Sequence, residues 1–97
     1  MNFRELLEVK KKWNLDTGVN TISFQKSKPN ASNEVNFEIT RRGDVFDLER
    51  IQCSSKTGKH SEYTLKFGIS AEDMIDSLEY LKLPMLTLDE LNSIPKN

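Results

Sequence analysis

Cys53 and His60 are the only cysteine and the only histidine of the 97 residues, and they flank one short polar stretch. A thiol beside an imidazole can become a thiolate nucleophile, so this pair is the first place to look for covalent chemistry. The register expected for strands on either side of the stretch turns Cys53 inward with Ser61 and Tyr63, and turns His60 to the other face. Groups on opposite faces cannot hydrogen-bond, and no third orienting group is apparent, so Cys53 reads as a buried structural cysteine. Between them, Ser55-Lys56-Thr57-Gly58-Lys59 has the look of a phosphate loop. It lacks the first glycine of that motif and leads into a strand, not a helix N-terminus, so it reads as a flexible basic hairpin loop. One histidine and one cysteine exclude the usual zinc patterns, and the carboxylates carry no calcium-loop spacing. No catalytic residue, metal or cofactor is expected, and the chain reads as non-enzymatic.

Two charged sets carry the binding readings. Glu72, Asp76 and Glu79 are spaced four and three apart and line one side of an expected helix, where they could dock on the basic surface of another protein. Lys10, Lys11, Lys12, Arg41, Arg42, Lys56 and Lys59 form the rival set, which could meet nucleic-acid phosphates. Lys10 to Lys12 also sit in the last turn of an expected first helix, where cations compensate the helix dipole. Residues 1–69 carry a net +3 and residues 70–97 a net −4, an asymmetry suited to electrostatic docking. Phe24, Phe37, Phe46, Tyr63 and Phe67 take the inward parity of their expected strands. The outward face is then left without stacking groups, which disfavours recognition of unpaired bases. The junction Gly68-Ile69-Ser70 between strand and helix resembles the one in single-strand-binding transcriptional coactivators built on a four-stranded sheet and a helix. The likeness covers these few residues and assigns no family. The expectation is a small protein-binding module of the inhibitor, immunity or adaptor sort, docking through the acidic helix face. The alternative is a nucleic-acid-binding or regulatory protein.

The elements that position these groups are legible from periodicity. His60 to Ile69 alternates Tyr63, Leu65, Phe67 and Ile69 with Glu62, Thr64, Lys66 and Gly68, as a half-buried strand does. Ser70 can then cap a helix whose Ala71, Met74, Ile75, Leu78 and Leu81 share a face, with Leu83-Pro84 ending it. Phe3, Leu6 and Leu7 predict a first helix over about 3–12, with Trp13 continuing its face. Strands are expected over 19–26, 34–41 and 44–54. Arg42-Gly43 spells part of an integrin tripeptide with Asp44, but reads as a hairpin turn that needs positive φ at glycine. The inward parity changes between Leu48 and Ile51, which predicts a bulge at Glu49-Arg50. Thr87 with Glu90 predicts a capping box for a short last helix. The fold class is thus α+β: one domain, a four-stranded antiparallel meander in the order α-β-β-β-β-α-α with helices on one face.

Composition sets the outer limits. Charged residues are 30% and hydrophobic ones 36%, which fits neither a disordered nor a fibrous chain. Net charge is −1, which argues against generic polyanion binding. No apolar run is long enough to span a membrane. The first twelve residues lack the apolar core of a secretory signal, so the Asn30-Ala31-Ser32 sequon is taken as chance. A single cysteine suits a reducing compartment, and the cytoplasm is the expected location.

Overall fold

The computed structural model describes residues 13–15, 20–26 and 32–96. They form an α+β domain in which five antiparallel strands lie in the sheet in chain order. These are β1 (Trp13–Leu15), β2 (Thr21–Gln25), β3 (Asn33–Arg42), β4 (Val45–Ser54) and β5 (His60–Ile69). Two helices follow, α1 (Ala71–Tyr80) and α2 (Leu88–Asn92). The four expected strands are present within two residues of their expected bounds. The helix expected over 3–12 lies outside the described residues. Trp13, expected to continue that helix, instead begins the short strand β1 and pairs with Phe24.

Register decides which side chains reach the core. Arg42 pairs with Val45, so the two-residue turn is Gly43-Asp44, one position later than Arg42-Gly43. Gly43 has φ +63, the conformation a tight hairpin demands at its first central residue. The shift sets Ile39 opposite Leu48 and Phe37 opposite Arg50, and β3 and β4 then pair without a break. The bulge expected at Glu49-Arg50 is therefore absent. The register shifts lie instead on β5, which has one extra residue between each of the pairs Phe46↔Ile69, Leu48↔Lys66 and Glu49↔Thr64. Gly68 supplies the second irregularity with φ +64.

The core lies on one face of the sheet. Ile22, Phe37, Ile39, Phe46 and Leu48 meet Ala71, Met74 and Leu78 of α1, Leu91 of α2, and Leu83, Leu86 and Ile94 from the adjoining segments. Burying such a side chain contributes about 1.5–3 kcal/mol, so this cluster is the main source of stability. Both helices start as their sequences require. Asp73 N–H donates to Ser70 Oγ at 3.1 Å. At α2, Glu90 N–H donates to Thr87 Oγ1 at 3.1 Å, and Thr87 N–H donates to Glu90 Oε1 at 2.9 Å, completing the capping box. Lys82, at φ 56, breaks α1 two residues before Pro84. Ile51 departs from expectation: it is only half-buried and shares a ladder face with Cys53, while Arg50 takes the Leu48 side.

Candidate protein-docking interface

Helix α1 is written AEDMIDSLEY, four carboxylates and no base. Met74, Ser77 and Leu78 are buried against the sheet, which turns Glu72, Asp76 and Glu79 to solvent. Among the described residues no ion pair reaches these three. The expected acidic stripe is thus an exposed, uncompensated row on a helix anchored from below.

Beside it runs β5, the second edge of the sheet. Every residue from His60 to Gly68 is exposed, and Ile69 alone is half-buried. Tyr63 and Phe67, expected in the core, are 53% and 71% exposed, and Leu65 is 36% exposed. The two irregularities explain the faces. Leu65 and Lys66 both rise on the helix side, where they line a groove of about 460 Å³ with Asp76, Ser77, Tyr80 and Leu81. Phe67 turns to the other side, where the Arg42 guanidinium stacks 4.4 Å from its ring centroid. Apolar wall, polar rim and exposed carboxylate are the ingredients of a recognition groove. Gly68, an isolated glycine inside an alternating run, was the one sign of this arrangement in the sequence.

A second cluster fixes the end of β5. Asp47 is buried, and its carboxylate accepts from Arg42 Nε at 2.7 Å, Arg42 Nη2 at 3.0 Å and Gly68 N–H at 2.8 Å. The Arg42 hydrogen bonds hold its carboxyl below the usual carboxylate range, with help from Gly68 and against the opposing effect of burial. One carboxylate thereby ties β3, β4 and β5 together.

The rival basic set is not brought together. Arg41 is buried, and its Nε donates to the Gly43 carbonyl at 2.8 Å while Nη1 donates to those of Asn92 (2.6 Å) and Ile94 (2.8 Å). That guanidinium holds the fold and is not available to phosphate. Arg42 is committed to Asp47 and Phe67 at the same end of the sheet. Lys56 and Lys59 are exposed in the β4–β5 loop at the opposite end, roughly 33 Å away along ten-residue strands. Lys10, Lys11 and Lys12 lie outside the described residues.

Cys53 and His60 correct another expectation. They are direct cross-strand partners and share a face. His60 Nε2 lies 2.9 Å from Glu62 Oε1, in the open. Among the described residues no group of three or more metal-ligating side chains gathers, and no helix is long and apolar enough to cross a membrane. Comparison with known proteins finds no matching family model, no matching curated protein and no matching solved structure.

Proposed function

We propose that this chain is a small non-enzymatic protein-binding module that docks the α1–β5 side on a basic surface of another protein. The observation that carries the reading is the coincidence of three features on one side. They are the uncompensated row Glu72, Asp76 and Glu79, the groove between α1 and β5, and the exposed Tyr63 and Leu65 beside it. Monomeric domains seldom leave adjoining apolar side chains and an unpaired acidic row uncovered together without a partner for them. Among the described residues of the basic set, Arg41 and Arg42 lie at one end of the sheet and Lys56 and Lys59 at the other, which favours this reading over a nucleic-acid interface that needs cations along a continuous track.

A Glu72→Gln, Asp76→Asn, Glu79→Gln variant tests it. The protein captures its partner from extract, and the purified pair is measured at several salt concentrations. The variant is expected to keep or gain thermal stability, because like charges at this spacing repel. Its association should become slower and less salt-sensitive. Wild-type affinity and wild-type salt dependence together would remove α1 as the docking face.

A further inference from the structure

The backbone of β5 has a definite polarity toward its open side. Ser54 N–H donates to the Lys59 carbonyl at 2.9 Å, and Ser55 N–H donates the other way, to the Ser32 carbonyl at 2.9 Å. Even-numbered residues of β4 therefore bond β5, and odd-numbered ones bond β3. Carried through the pairs Gln52↔Ser61 and Arg50↔Tyr63, this alternation commits the N–H and C=O groups of Ser61 and Tyr63 to β4. Those of His60, Glu62 and Thr64 point off the sheet.

Side chains on this edge sort by face. Tyr63 and Leu65 stand on the helix side next to the groove that Tyr80 and Leu81 complete. Glu62 and Thr64 stand on the other side, and Thr64 is the ladder partner of Glu49. Acid dominates the lower face, where Glu49 and Glu62 lie, whereas on the helix side Arg50, the ladder partner of Tyr63, and Lys66 stand against Asp73 and Asp76. A second copy added antiparallel would bring Glu49 and Glu62 of one chain beside those of the other on this lower face, so charge selects a different occupant.

We propose that the β5 edge takes up an extended segment of a partner protein as a sixth, antiparallel strand, and that apolar residues alternate with lysine or arginine in that segment. The proposal rests on the α1–β5 side being the docking side, and it names the form and chemistry of the partner. Hydrogen bonds to His60, Glu62 and Thr64 hold the segment. Its apolar side chains cover Tyr63 and Leu65 and enter the groove. Its basic side chains lie opposite Glu62 and near Glu49. The irregularities at Leu65 and Gly68 end the regular ladder, so the site is short.

The probe is a fluorescein-labelled peptide of alternating valine and lysine, read by polarisation on the intact protein. In antiparallel addition the lysine N–H groups face β5 and the valine N–H groups face away. N-methylation of the lysine amides is expected to weaken binding by about tenfold or more, and N-methylation of the valine amides to leave it unchanged. Thr64→Pro removes an outward N–H at a position where an edge strand tolerates proline, and should weaken binding similarly while the thermal midpoint holds. Equal binding of both methylated peptides, or of a valine–glutamate peptide, overturns the proposal. Concentration-dependent self-association that Tyr63→Lys abolishes overturns it too, since a second copy would then hold the edge. If the strand peptides fail while the triple α1 variant still loses the natural partner, the strand is wrong and the acidic docking face stands.

Discussion

Two hairpins share β4 and are built differently. β3 and β4 pair through ten consecutive residues without a shift, and their inward residues Phe37, Ile39, Phe46 and Leu48 are buried. β4 and β5 pair with two shifts, and nearly all of β5 is exposed. Yet β5 alternates apolar and polar residues as cleanly as β3 does. Alternation shows that a strand has two unlike faces. Whether the apolar face is covered depends on how far the helix layer reaches, and α1 leaves an open groove, not a packed seam, beside β5. An apolar face without an internal cover is free to serve an external one.

The contrast can be broken by mutation. Leu48→Ala empties a fully buried site and should cost about 2–5 kcal/mol. Phe67→Ala, on the other hairpin, should cost under about 1 kcal/mol, mostly the stacked Arg42. Denaturant melts of both variants check the pair, and equal losses would mean that β5 is packed after all.

A middle-sized effect belongs to Asp47, the group through which the regular hairpin holds the irregular one. Asp47→Asn should cost about 1–2 kcal/mol at neutral pH, since Arg42 loses its charged partner at a partly exposed site. Because the folded carboxyl titrates below its unfolded value of about 3.9, its contribution is complete above that pH. It is lost as pH falls through the lower folded value. Wild type and variant should therefore converge only in strongly acidic solution, and a gap that widens on acidification would contradict the assignment.

The smallest effects sharpen the comparison at the two glycines. Gly43→Ala and Gly68→Ala both force a side chain into the left-handed region, at about 1 kcal/mol each. Neither added Cβ meets anything closer than ordinary contact: Gly43 has open space, and Gly68 has Arg42 Nη2 at 3.6 Å. Thermal melts should show similar losses, while loss of peptide binding should follow Gly68→Ala alone, because that residue shapes the edge.

Much of the fold was legible because it rests on local chemistry. The strand limits, the Ser70 and Thr87 caps and the positive φ of Gly43 all follow from residue type and short-range period. Errors arose where one local choice propagates. Setting the turn at Arg42-Gly43 shifted the β3–β4 register by two, and a bulge at Glu49-Arg50 was then needed to rescue Ile51. A separate one-residue slip on the other hairpin, with the loop set at Ser55–Lys59 and Ile51 opposite Tyr63, separates Cys53 from His60. Arg41 looked like surface charge because its acceptors, the Asn92 and Ile94 carbonyls, lie more than fifty residues away in sequence. The acidic row of α1 was readable, since helical spacing alone places it. The groove was not, because it depends on how α1 lies against a bulged strand.

The Arg41 clamp has a consequence for how the chain matures. Each strand pairs with the one made just before it, so the sheet can assemble hairpin by hairpin as the polypeptide emerges during synthesis. Arg41 Nε has the nearby Gly43 carbonyl from the start, but Nη1 finds its acceptors only when Asn92 and Ile94 arrive, and until then part of the charge is left unsatisfied in the growing core. Nascent sheets stalled before residue 92 should remain chaperone clients, and release into the compact state should coincide with delivery of the last helix.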